Sequence, residues 1–225
     1  VSLRRFASPP LPAGGGRVRL EAGPSHHLLR VTGIAPGEAV ELFDALGQAA
    51  RAVLVGAQAG LAVLDVEPPV QPEAGPARWL LLGLLKGGAQ DTAIRMATEL
   101  GVGHVVPVLA ERSVARGDRR DRWARVAAAA VAQCGRAAAP QLHAPMPLAA
   151  ALTQLPADVR PVIALPGTAL APVPAGALAA LVGPEGGWTD AEVAVAVDAG
   201  AVPLGLGGFV LRADTAVAAA LARLG

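Results

Sequence analysis

Along residues 1 to about 72, apolar positions fall in short runs broken by turn signals. Arg17-Val18-Arg19-Leu20 alternates polar and apolar, and Ala39-Val40-Glu41-Leu42-Phe43 does so before reaching Asp44-Ala45-Leu46-Gly47. Ala52–Val55 and Leu61–Val66 follow, with Gly56 and Gly60 between them. Alternation puts successive side chains on opposite faces, as in a half-buried strand. Short strands at this spacing predict a small barrel or sandwich. The stretch Pro68-Pro69-Val70-Gln71-Pro72-Glu73-Ala74-Gly75-Pro76 then reads as a linker.

From Trp79 onward the pattern changes. Trp79 to Leu85 is continuously apolar, as a strand buried on both faces would be. Gln90 to Leu100 is helical and stops at Gly101, a glycine cap. His104 to Leu109 is a strand, and Arg122 to Cys134 is an alanine-rich helix followed by Gly135. Pro161–Leu165 and Leu178–Val182 are strands, Asp190–Ala199 is a helix closed by Gly200, Val202–Leu206 is a strand, and Thr215–Leu224 is the last helix. That alternation predicts an α/β domain with a parallel sheet.

Two glycine-rich loops stand at the ends of predicted strands. In Leu181-Val182-Gly183-Pro184-Glu185-Gly186-Gly187-Trp188-Thr189-Asp190-Ala191-Glu192 an apolar run gives way to a loop, and Thr189 with Glu192 forms a capping-box pattern. The second loop, Leu204-Gly205-Leu206-Gly207-Gly208, leads into Val210-Leu211-Arg212-Ala213-Asp214-Thr215-Ala216. Ligands of open parallel sheets bind outside the carboxyl ends of the strands. One such loop is an ordinary tight turn; two at successive strand ends point to a site. Their backbone groups can bond a base, with Leu181, Leu206 and Leu211 flanking a flat ring.

Several other chemistries lack support. No Gly-Lys-Ser/Thr is present, and Val210 occupies the third glycine position of a Gly-x-Gly-x-x-Gly, so neither a P-loop nor a Rossmann fingerprint is present. His26, His27, His104 and His143 are scattered, and Cys134 is the single cysteine, which leaves no metal-ligand set. His26 and His27 read as surface or turn residues. Ser25 and Ser113 lack a nucleophile elbow.

Composition narrows the picture further. The chain has 225 residues and a formal net charge of +1, so nucleic-acid binding would have to come from local patches. Arg112, Arg116, Arg119, Arg120, Arg122, Arg125 and Arg136 make one such cluster, readable equally as a phosphate-binding face or as a solvated helix. A lone cysteine fits a reducing compartment. No apolar run nears the roughly 18 residues of a membrane span. Val1-Ser2-Leu3-Arg4-Arg5-Phe6 lacks the apolar core of a signal peptide, so a cytoplasmic protein is expected.

Gly183-Pro184-Glu185-Gly186-Gly187, Leu206-Gly207 and Val210–Ala216 resemble the SPOUT class of methyltransferases. Within it the chain is similar to the RsmE family, which methylates N3 of a uridine in small-subunit (16S) ribosomal RNA. Lys86-Gly87, Ala97-Thr98-Glu99-Leu100-Gly101-Val102, Glu111-Arg112-Ser113 and Gln133-Cys134-Gly135-Arg136 carry the same likeness, as do His27-Leu28, Gly37-Glu38 and Leu42-Phe43-Asp44. The resemblance spans nearly the whole chain. It implies a PUA-like, RNA-binding β-barrel over residues 1–72. Residues 73–225 would form a SPOUT methyltransferase domain whose parallel sheet ends in a trefoil knot. It implies S-adenosylmethionine held by Leu181, Gly183, Glu185, Gly186, Leu204, Leu206, Val210 and Leu211, and no metal. Arg212 and Asp214 would be catalytic. Arg4, Arg5, Arg30, Lys86, Arg112 and Arg136 would contact RNA, as naked RNA or as the 30S subunit, and the protein would be a homodimer.

The chain departs from that family at several positions. Gly208-Phe209 stands where Pro-Arg is common, Gly33 where arginine is frequent, and Met96 where lysine is usual. Gly88-Ala89 replaces a charged pair, and Asp214 stands where glutamate is common. These changes touch expected phosphate contacts more than the donor loops. A SPOUT enzyme with another RNA target, and a non-catalytic RNA-binding member of the fold, are the alternatives.

Overall fold

The computed structural model describes residues 3–44, 47–70, 78–136 and 138–224. The chain forms two compact units, Val1–Ala74 with Val131–Ala139, and Gly75–Ala130 with Pro140–Gly225. The expected linker lies largely outside the described residues, as does the boundary between residues 72 and 73.

The first unit holds a five-stranded sheet in the order β1-β3-β4-β5-β2, from β1 (Arg5–Ala7), β2 (Gly16–Arg19), β3 (Ala39–Phe43), β4 (Ala49–Gln58) and β5 (Leu61–Val66). Only the β1–β3 pair is parallel. Alternation in the sequence becomes burial: Val40 and Leu42 of β3, Ala52 and Leu54 of β4, and Leu64 of β5 point into one core with Leu20 and Leu28. The buried Ser25 and Asp44 side chains are bonded, as burial favours. Ser25 Oγ donates to the Leu20 carbonyl and accepts from Ala62 N–H, and the Asp44 carboxylate accepts from Leu11 and Gln48 N–H. Periodicity did not indicate β1, the short helix α1 (Ala22–His26) or the π-turn His27–Val31 that continues it. Both histidines lie there, exposed at the surface as expected.

In the second unit six strands run in the order β11-β9-β10-β6-β7-β8, and every pairing is parallel. They are β6 (Trp79–Gly83), β7 (His104–Val108), β8 (Gln141–Leu142), β9 (Arg160–Ala164), β10 (Leu178–Val182) and β11 (Val202–Leu204). The helices are α2 (Gly88–Glu99), α3 (Arg120–Cys134, whose residues from Val131 on are counted with the first unit), α4 (Leu148–Thr153), α5 (Asp190–Asp198) and α6 (Ala213–Leu224). The continuous apolar run of β6 is explained by two buried faces. Leu80 and Leu82 pack with Ala93 and Ala97 of α2 and with Val217 and Leu221 of α6. Trp79 and Leu81 pack with Ala151 of α4 and Ala196 of α5. Helix α2 ends as its sequence predicts: Gly101 N–H bonds the Thr98 carbonyl and Val102 N–H the Ala97 carbonyl, a Schellman pair. At the amino ends of β6 and β7, the Trp79 indole stacks on His104 at 3.9 Å, and His104 Nδ1 lies 3.3 Å from His143 Nε2.

Candidate active site

The carboxyl ends of β9, β10 and β11 open into a cavity of about 580 Å³. Its walls are the two glycine loops, Val182–Trp188 after β10 and Leu206–Ala216 after β11, together with Ala164–Pro166 after β9. Close approach shapes both loops. A Cβ on Gly83, at the end of β6, would sit 2.5 Å from Pro184 Cδ, so glycine there lets the first loop lie against β6. A Cβ on Gly205 would sit 2.4 Å from the carbonyl oxygens of both Thr168 and Ala169, so only glycine lets these two segments pass.

Charged side chains fasten the loops by bonding their backbones. Arg112 Nη1 donates to the Gly186 and Trp188 carbonyls at 3.2 and 3.1 Å. Glu185 Oε1 accepts from Lys86 N–H at 3.0 Å. Thr189 and Glu192 form the expected capping box at the start of α5, and Glu192 Oε1 also accepts from Glu111 N–H at 2.9 Å. Arg223 of α6 donates to the Gly205 and Ala171 carbonyls.

The lining suits a ligand with a flat heteroaromatic part and polar edges. Leu165, Val182, Leu206, Val210 and Leu211 supply apolar surface, while the loops supply backbone donors and acceptors. Trp188, also in the wall, has a buried Nε1 with no hydrogen-bond partner. A buried unmet donor costs free energy unless a ligand or water meets it. At the rim, Arg212 Nε lies 3.8 Å from Asp214 Oδ1, with the arginine side chain 84% exposed and the aspartate 20%. Asp214 Oδ1 also accepts from Thr215 N–H at 3.0 Å in the first turn of α6. The guanidinium is thus loosely tethered and can turn toward a substrate, while its carboxylate partner is held by the helix.

Of the residues expected to bind the donor, Gly183, Glu185, Gly186, Leu206, Val210 and Leu211 line the cavity, as do Arg212 and Asp214. Leu181 and Leu204 do not; both are buried in the sheet just before the loops. The residues expected to contact RNA are divided between the two units. Arg112 sits in the cavity wall as a loop clamp. Lys86 is exposed nearby. In the first unit Arg4 bonds the Thr32 carbonyl and Arg30 is exposed. Arg5 is only 11% exposed, paired with Glu41, bonded to the Arg136 carbonyl and set over the Phe43 ring, so it serves the fold of that unit. Burial pushes the half-buried Arg136 guanidinium below its ordinary value. Sequence reasoning missed Ala164–Pro166, Ala89 and Trp188. The carboxyl-end rule marks the first group as the end of a predicted strand, but its place beside the two glycine loops follows from the strand order β11-β9-β10.

Among the described residues no cluster could hold a metal ion, and no helix is long and apolar enough to cross a membrane. The model of the RNA methyltransferase domain family matches residues 74–225. Ribosomal RNA small subunit methyltransferase E of Mycobacterium bovis is 34% identical over 96% of this chain and 88% of its own length. The Synechocystis protein of the same name is 31% identical over 92% and 72%. The crystal structure of the Neisseria gonorrhoeae enzyme of that name, bound to S-adenosyl methionine, superposes with a TM-score of 0.86 at 30% identity, covering 98% of this chain and 95% of that one. By sequence over nearly its full length and by fold, this chain belongs to the ribosomal RNA small subunit methyltransferase E family.

Proposed function

We propose that this chain transfers a methyl group from S-adenosylmethionine to N3 of a uridine in small-subunit ribosomal RNA. The observation that carries the proposal is the single cavity that both glycine loops wall and that has Arg212 and Asp214 at its rim. Gly183, Glu185, Gly186, Leu206, Val210 and Leu211 would hold the donor, mostly through backbone, and Leu181 and Leu204 would set the strand ends from which the loops spring. The Trp188 Nε1 donor and the apolar walls fit such a ligand. When bound, S-adenosylmethionine supplies a sulfonium-activated methyl group.

What remains for the protein is orientation and proton handling. Neutral uridine carries a proton on N3, and that proton must leave before or as the new bond forms. Arg212 places a cation beside the base and stabilises the negative charge that develops as the proton departs. Asp214 aims the guanidinium and is the group at hand to accept the proton. Phe209, 88% exposed on the cavity lining, offers a face on which an unstacked base can lie.

The proposal extends to a PUA-like barrel built on the five-stranded sheet, a C-terminal trefoil knot, a homodimer and a cytoplasmic setting. The close passage of Gly205 by Thr168 and Ala169 supports the knotted threading. The test is transfer of labelled methyl to small ribosomal subunits that lack their own N3 methylation, with the product nucleoside identified. Label in 3-methyluridine is expected. Donor binding without label would move the reading to another RNA target, and no donor binding to a non-catalytic role.

A further inference from the structure

A second cavity, of about 220 Å³, lies next to the first along the chain. Ala89 lines the larger one and the next residue, Gln90, the smaller, while the Glu185–Lys86 bond ties their walls together. Lys86, Arg116, Arg119 and Arg122 face the smaller cavity, against the single carboxylate of Asp91. That carboxylate is engaged by Arg122, whose Nε lies 2.9 Å away. Arg116 Nη1 is turned back onto the Ser113 and Ala115 carbonyls. Among the described residues, the Lys86 ammonium and the Arg119 guanidinium have no protein partner. The cavity lining therefore carries a net positive charge, with the Glu185 carboxylate beside it at Lys86 N–H.

Gln90 gives independent support. It is 3% exposed, and its Oε1 accepts from Leu85 N–H at 2.9 Å. Its Nε2 is buried without any partner. The fold thus maintains a desolvated donor in the wall of a cationic cavity, an arrangement that an acceptor-only ligand completes. Helix α2 starts here as well, at Gly87, which provides no side-chain cap, so its amino end adds favourable potential for an anion. Small-molecule sites run to roughly 300–1,000 Å³, so this volume suits one anionic group rather than a whole ligand.

We infer that the second cavity seats a phosphodiester of the RNA substrate, one that flanks the nucleotide whose base enters the larger cavity. Lys86 and Arg119 grip its oxygens, Gln90 Nε2 completes the inner contact, and Arg116 and Arg122 set the surrounding field. Fixing a neighbouring phosphate places the target base in register without reading sequence. This inference rests on the RNA methyltransferase reading above.

The experiment is anisotropy of a fluorescent small-subunit RNA fragment titrated with full-length protein between 50 and 200 mM salt, alongside donor calorimetry and methyl transfer. The variants are Arg119→Glu, Gln90→Glu and, as a charge-matched control away from the cavity, Arg125→Glu. Arg119→Glu is expected to weaken RNA binding about tenfold and to flatten the salt slope by about 1, with donor affinity unchanged. Gln90→Glu keeps the acceptor for Leu85 N–H and removes the inner donor, so it should weaken RNA binding in the same way. Equal RNA affinity and slope for Arg119→Glu and Arg125→Glu would overturn the subsite, as would wild-type protein that shows no salt-dependent RNA binding. Wild-type protein that binds RNA with the expected Arg119 dependence but transfers no methyl group would leave the subsite standing and remove the methyltransferase reading.

Discussion

Replacing Gly205 by alanine tests the physical basis of the cavity proposed to hold the donor. The added Cβ would lie 2.4 Å from the Thr168 and Ala169 carbonyl oxygens and 2.8 Å from the Ala169 carbonyl carbon. Ordinary contact is about 3.5 Å, so something must move by about 1 Å. All three obstacles are backbone atoms, and Arg223 holds the same segments together through the Gly205 and Ala171 carbonyls. No flexible side chain can absorb the shift. Overpacking costs about 1–3 kcal/mol, and backbone on both sides places this site at the upper end. For a chain of this size, about 3 kcal/mol lowers Tm by roughly 6–12 °C.

Three positions along the same loop, Gly208 has nothing within 4 Å of its would-be Cβ. Gly208→Ala should be neutral or should stabilise by up to about 1 kcal/mol through the unfolded chain. Scanning calorimetry with and without S-adenosylmethionine compares the pair. Saturating donor, at about 100 times its Kd, should add about 2.7 kcal/mol to wild type and to Gly208→Ala. Gly205→Ala should lose most of that increment as well as baseline stability. Melting of Gly205→Ala within a degree of Gly208→Ala would refute the claim that the two segments pass too closely for any side chain.

Further outcomes follow from the other contacts. Arg212→Ala should lower kcat about 100-fold with donor affinity unchanged in calorimetry, the scale of losing one charge-stabilising donor; unchanged turnover would remove its role. Glu185→Ala should weaken donor binding about fivefold, because a solvent-exposed bond from Lys86 N–H to a charged acceptor is worth about 1 kcal/mol, whereas Glu185→Gln keeps an acceptor and should bind nearly as wild type. Burial pushes His104 and His143 below the ordinary histidine value, and the neighbouring His143 adds to the effect on His104. The unfolded chain therefore takes up protons first as pH falls past about 6.5. The stability from keeping them neutral is full above that pH and is lost as pH falls below it. Tm profiles should show His143→Gln losing less than wild type over that window.

The second unit was legible because its central strands are buried on both faces. Trp79–Leu85 and Leu178–Val182 could be read from apolar continuity, and the helices from glycine stops such as Gly101. Short elements escaped: Arg5–Ala7 is too brief to show alternation, and Leu148–Thr153 has a single and a half turns to show a period. The candidate cavity was legible as two loops because both lie at strand ends in the sequence itself. Ala164–Pro166 was not, since its place beside β10 depends on strand order, which local pattern does not encode. The arginines were hardest. Arg5, Arg112 and Arg119 look alike in a sequence, yet one is buried against Glu41, one clamps a loop and one is unpaired; only the partners distinguish them.

Those partners reveal a division of labour. Arg112, Glu185, Glu192 and Arg223 each bond backbone groups of a loop or of the segment beside it, so their charges are spent on holding the cavity in shape. The cavity then offers a ligand mainly backbone and apolar surface, which needs no rearrangement when the ligand arrives. Arg212, Lys86 and Arg119 are exposed cations at the two cavities, and the proposals above assign them to the substrate. The two groups should separate cleanly under neutralisation. Arg112→Ala should lower Tm and donor affinity together, because the Gly186 and Trp188 carbonyls lose their shared donor. Arg119→Ala should leave both unchanged and raise the KM for RNA alone. If Arg112→Ala instead kept Tm and donor affinity and altered only the KM for RNA, its bonds to the loop would be incidental, and the charge around the donor cavity would belong to RNA recognition.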